Sequence, residues 1–156
     1  MWVNHFDLLP GDPSVSISFN AVNSGVGSGL SGLVIRSSTT GQNAQGGGNK
    51  VVHMGLQVPP DFIIKRVRLC YELSNSRSFV SQIRLSQLQA PPGQALILLD
   101  DATDHTNAGP VCVNSGETTV DPAQGAVSLS LRVNFGNTAD LIVVRGVGLV
   151  LARPAA

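Results

Sequence analysis

The sequence predicts an all-β protein: a two-sheet antiparallel sandwich, jelly-roll-like, with 8–9 strands. Three observations predict it. Apolar residues alternate with polar ones at Val127, Leu129, Leu131, Val133 and Phe135. The same rhythm runs through Ile63, Val67, Leu69, Tyr71 and Leu73. Turn residues separate such segments at fairly regular spacing. Period two sends successive side chains to opposite faces of a strand, so one face is buried and the other is different. Many short strands joined by turns close into a sandwich, with an eight-stranded barrel as the alternative.

The elements follow in chain order. The first strand is expected at 14–20, where Val15, Ile17 and Phe19 alternate with serines. A Gly/Ser-rich loop region covers about 20–50; within it Leu33-Val34-Ile35 is the one apolar run, and Gly46-Gly47-Gly48 is a flexible stop. No Asp or Glu occurs between Pro13 and Asp61. Residues 51–58 read as a strand ended by Pro59-Pro60. Residues 63–73 are the strongest strand, although Lys65 breaks the apolar phase. Turn residues at 74–77 then suggest a hairpin returning through 79–88, with a helix over 80–89 as the competing reading. Residues 95–99 are continuously apolar, the pattern of a strand buried on both faces. A polar loop spans 100–110, a short strand 111–113, and a turn falls at Asp121-Pro122. Residues 127–135 and 141–151 read as a last hairpin across Gly136-Asn137. The expected core is Ile63, Val67, Leu69, Leu129, Leu131 and Val133. Residues 1–156 fit a single domain able to bury its own core.

Composition narrows function. Charged residues make up 13% of the chain and net charge is zero, against roughly a quarter charged in an ordinary domain. No basic run and few aromatic rings argue against nucleic acid. No stretch of about 20 apolar residues exists to span a membrane. The first ten residues lack the basic and apolar regions of a signal peptide, so the expected location is cytoplasmic unless a leader was trimmed. No Asn-x-Ser/Thr acceptor occurs.

Five groups of residues invite a chemical reading. Asp100, Asp101 and Asp104 form the densest acidic patch, followed by His105 and Asn107. The three aspartates and Asn107 could serve as ligand-binding groups, but lack the glycine and closing glutamate of a calcium loop, so no metal is expected. Cys70 and Cys112 could be a disulfide, free packed residues or one reactive thiol. Arg66, Arg68, Arg84 and Arg132 all fall on the non-core phase of their strands. If those strands were neighbours, the arginines would form a ladder needing carboxylates or an anion, at or beside an interface. A Gly-x-Gly-x-x-Gly match at Gly27, Gly29 and Gly32 has no helix pattern after it and no acid until Asp61, so it is a chance match. The histidines, at 5, 53 and 105, are scattered. His53, on the polar phase of its strand, reads as a surface or interface residue.

No catalytic set or cofactor motif is evident, so the expected protein is not an enzyme and needs no cofactor. Low charge and the acid-free segment point to homo-oligomeric assembly with surface recognition. At the level of architecture the chain resembles the trimeric jelly rolls of the tumour-necrosis-factor class, which implies a trimer. The alternative is a carbohydrate-binding, lectin-like module using the 100–107 loop.

Overall fold

The computed structural model describes residues 1–19 and 32–155. Asn20, at the end of the first predicted strand, and Gly27 and Gly29 of the glycine match lie outside the described residues. Among the described residues there are eleven strands: β1 (Trp2–Val3), β2 (Leu9–Pro10), β3 (Val15–Ser18), β4 (Leu33–Ser37), β5 (Val51–Leu56), β6 (Ile63–Leu73), β7 (Phe79–Leu88), β8 (Leu96–Asp101), β9 (Val111–Asn114), β10 (Ala126–Asn134) and β11 (Ile142–Ala152). Nine of them have four residues or more. One sheet runs β3-β4-β11-β6-β9 with β1 also on β11; the other runs β2-β5-β10-β7-β8. Neighbouring strands in both sheets run antiparallel. The described helical residues form only two short turns, His5–Asp7 and Pro122–Gln124.

The core lies between the sheets. Val67, Leu69, Leu129, Leu131 and Val133 are wholly buried, as their phase requires. Ile63 is not part of that core; its neighbour Ile64 is. The pairing of β6 with β11 skips Lys65, since Val150 faces Arg66 and Leu151 faces Ile64. Lys65 is therefore the extra residue of a bulge, and one extra residue exchanges the two faces. Similar insertions occur at Arg145 in β11 and Ser81 in β7.

Both predicted hairpins prove to be crossovers. β6 and β7 lie in different sheets, as do β10 and β11. The turn residues are where expected, but the chain folds over from one sheet to the other. The two crossovers then bind each other. Ser74 N–H donates to the Leu141 carbonyl (3.0 Å), and Leu141 N–H donates to Ser74 Oγ (2.8 Å). Asp140 accepts from Arg77 Nε (2.9 Å), Arg77 Nη2 (3.0 Å) and Ser78 Oγ (2.6 Å). The Arg77 hydrogen bond, above all, holds the Asp140 carboxyl below its ordinary 3.8, against the opposing pull of burial. A lowered carboxyl pKa contributes stability above the unfolded value that is lost as pH falls through the folded one. Asp140→Asn should therefore move the acid-unfolding midpoint to higher pH; an unchanged midpoint would show that the clamp carries no net stability.

Residues 95–99 are not a doubly buried strand. β8 is the edge of its sheet, with Leu96 48% and Ile97 53% exposed and only Leu99 buried. The competing helix over 80–89 is absent too, because β7 pairs on both sides.

One charge sits wholly inside. The Lys50 ammonium donates to Ser37 Oγ (2.8 Å) and to the carbonyls of Thr39 (2.9 Å) and Gly41 (3.2 Å), with the Phe135 ring 5.8 Å away. Three acceptors use its three protons. Burial lowers the Lys50 pKa from 10.5, with the charge of Asp12 pulling it back up. Between the lowered value and 10.5 the unfolded chain binds the additional proton, so stability rises with pH across that window. Urea unfolding as pH is raised toward 10.5 should show that rise, and Lys50→Met should flatten it. Equal slopes in the two proteins would remove Lys50 as its source.

Candidate functional site

The outer face of the five-stranded sheet carries a polar array set by strand register. Between the buried Leu129 and Leu131, Ser130 points outward, as do His53 between Val52 and Met54, and Arg84 between Ile83 and Leu85. Register then aligns one row across five strands: Leu9 faces His53, His53 faces Ser130, Ser130 faces Arg84, and Arg84 faces Asp100. Four strand spacings make this row about 19 Å long. Beside it runs a second row, Gly55, Ser128, Ser86 and Ile97. Its middle carries nothing longer than a hydroxymethyl group. A ligand lying along that flat row would meet His53, Arg84 and Asp100 on one side.

The polar groups are already joined. His53 Nδ1 and Ser130 Oγ are 2.7 Å apart, and the Ser86 and Ser128 hydroxyls 2.8 Å. Arg84 Nη2 and Asp100 Oδ2 form an ion pair at 3.4 Å with both side chains partly in water, which stabilises the fold little. Asp100 also accepts from Gln82 Nε2 (2.5 Å). The result is a line of donors and acceptors fixed on strands rather than loops, and a polyhydroxylated ligand matches it by offering both at each hydroxyl. The Ser130–His53 contact has the length of a nucleophile–base pair. β10, however, lies between β5 and β7, so its backbone N–H groups serve the ladders and offer no oxyanion donors there.

The predicted site residues separate. Arg66 and Arg68 sit on β6 in the six-stranded sheet, while Arg84 and Arg132 sit on β7 and β10 in the other. The four cannot form one ladder, because the presumed β6–β7 hairpin is a crossover that puts the two pairs on opposite sides of the sandwich. Arg132 acts locally. It donates to Ser81 Oγ (2.9 Å) and the Ser81 carbonyl (3.1 Å), satisfying the bulge. Arg66 donates to the Ser115 carbonyl (3.1 Å) and faces Glu117 (3.7 Å).

The 100–107 patch also divides. Asp100 joins the sheet face. Asp101 binds Thr103 through its N–H (3.0 Å) and Oγ1 (2.7 Å), and Gly116 N–H (2.6 Å). Burial pushes the Asp101 pKa up, but these hydrogen bonds outweigh it and leave the carboxyl below its ordinary value. Asn107 Oδ1 accepts from Gly109 N–H (3.0 Å), and Asp104 is exposed. His105 is held below its ordinary pKa by burial, with Asp101 and Asp104 opposing. The loop residues are mainly tying turns, and no group of three or more metal-binding side chains occurs among the described residues. Cys70 and Cys112 face each other in register and form a disulfide, which settles the cysteine question against free thiols. The serines at 86, 128 and 130 escape a reading of the sequence. Their only signal is position on the non-core phase of β7 and β10.

No protein-family model and no curated protein matches this sequence. Solved structures do resemble the fold. The CBM22-1 and GH10 modules of Clostridium thermocellum endo-1,4-β-D-xylanase 10B, complexed with xylohexaose, align over 97% of this chain at 9% identity, TM-score 0.59. The chain spans 27% of that protein. The carbohydrate-binding module CBM36, in complex with calcium and xylotriose, aligns over 96% of this chain and 99% of its own length, at 10% identity and TM-score 0.54. The N-terminal cellulose-binding domain of Cellulomonas fimi β-1,4-glucanase C aligns over 97% of this chain and 95% of its own, at 15% identity and TM-score 0.50. The β-sandwich of carbohydrate-binding modules is thus the fold this chain shares.

Proposed function

We propose that the protein is a carbohydrate-binding module whose ligand lies across the outer face of the five-stranded sheet. The observation that carries the reading is the in-register row His53–Ser130–Arg84–Asp100 beside the flat Gly55–Ser128–Ser86 row. Exposed Leu9 and Ile97 give apolar contact at its ends. The fold likeness to xylan- and cellulose-binding modules supports the class of ligand. This reading puts the site on the sheet instead of the 100–107 loop that the sequence suggested, and keeps only Asp100 of that loop. Homo-oligomeric assembly, trimeric or otherwise, finds no support in these observations. The module itself binds and does not turn over its ligand. The disulfide favours an oxidising compartment over the cytosolic expectation.

Titration calorimetry with neutral xylo- and cello-oligosaccharides tests the reading. At least one series should bind. Ser128→Trp, which fills the flat row, should abolish binding, and Arg84→Ala should weaken it about tenfold, the worth of one or two hydrogen bonds. Binding unchanged in Ser128→Trp would move the site elsewhere.

A further inference from the structure

The opposite face holds a second constellation. Trp2 is the chain's one tryptophan and is 65% exposed, yet it is firmly seated. β1 pairs with β11 at Trp2 and Gly148, and the ring occupies space that two glycines leave open. A Cβ at Gly148 would lie 3.1 Å from a ring carbon, and one at Gly146 3.6 Å. The indole therefore rests on bare backbone and turns its other side to water.

Beside it opens a cleft of about 410 Å³ lined by Arg68, Arg145, Pro110, Val111, Tyr71 and the Cys70–Cys112 bridge. The two are contiguous by register: Gly148 faces Arg68 and Gly146 faces Cys70. Arg145 is the extra residue of the β11 bulge, which places it next to Gly146. Arg68 donates to Asn114 Oδ1 (3.2 Å), one strand further on. Among the described residues lining the cleft, both charged side chains are arginines. An indole face takes the C–H face of a pyranose ring, and a guanidinium pairs with a carboxylate in a planar fork. A neutral sugar offers these arginines only hydroxyl acceptors, whereas a carboxylate also meets their charge.

We propose that this face is a second binding site for an acidic polysaccharide, with a uronic-acid ring stacked on Trp2 and its carboxylate held between Arg68 and Arg145. The arginine cleft stands on the six-stranded sheet and does not rest on the groove, although Trp2 also lines a smaller pocket with Met54, Gly55 and Leu56 of β5. Titration of the full chain with oligogalacturonate and with its methyl ester tests it. The acid should bind, more weakly as salt rises, and the ester should bind at least about tenfold more weakly. Arg68→Ala should lose the preference for the acid. Trp2→Ala should weaken both ligands and Trp2→Phe restore them, with unchanged melting curves excluding a folding defect. Ser128→Trp should leave acid binding intact. Equal affinity for acid and ester, no measurable acid binding, or loss of acid binding in Ser128→Trp would each overturn the proposal. Failure of neutral oligosaccharides to bind would count against the groove alone.

Discussion

Leu131→Ala is expected to lower the unfolding free energy by about 2–5 kcal/mol. Leu131 is wholly buried at the middle of β10, the central strand of the five-stranded sheet. It is flanked in register by Val52 on β5 and Ile83 on β7, both also fully buried. Truncation removes the transfer free energy of the isobutyl carbons beyond Cβ. It also leaves a cavity that rigid ladders on both sides cannot collapse to fill. Denaturant unfolding reads the change as a shifted midpoint at constant slope. A loss under about 1 kcal/mol would mean that the two sheets can move together locally. The same truncation should spare any ligand affinity that survives at a temperature well below the melt, because Leu131 points away from the candidate face.

The double variant Cys70→Ser/Cys112→Ser is the second large effect. The bridge joins cysteines 42 positions apart, and closing a loop of that size stabilises by about 4 kcal/mol on the chain-entropy model. The bridge also anchors β9, a four-residue edge strand whose only sheet partner among the described residues is β6. Serine at these positions adds little strain, since the pair faces outward from the core and Cys112 is exposed. Thermal melts of the variant and of the reduced wild type should fall together. A drop below about 1 kcal/mol would show that the β6–β9 ladder holds the edge without the bridge. If the cleft beside the bridge holds a ligand, that ligand should protect the oxidised protein more than the variant, because loosening β9 displaces Val111 and Asn114.

The fold class, the main strands and most of the core are legible in the sequence. Alternation at Leu129, Leu131 and Val133 reports burial directly, because period two is a local property of an extended chain. Even the break at Lys65 is visible as a flaw in the rhythm, and its meaning is the bulge that exchanges Ile63 for Ile64. Cys70 is legible as an outward-facing residue, but its bond is not, because strand order decides which cysteine lies opposite.

Tertiary structure alone decided which strands are neighbours. The turns at 74–78 and 135–141 have hairpin chemistry, yet each carries the chain between sheets. Turn residues set how sharply a chain bends; whether the flanking strands hydrogen-bond or stack face to face depends on the long-range partners each finds. That choice split the four arginines between two faces and brought Asp100 to Arg84. It also lined up three serines too ordinary to notice in sequence, and laid Trp2 on glycines at the far end of the chain, Gly146 and Gly148. A sequence states each residue's face through its local period. A surface built from five strands is the product of register, and register is written only in the pairing.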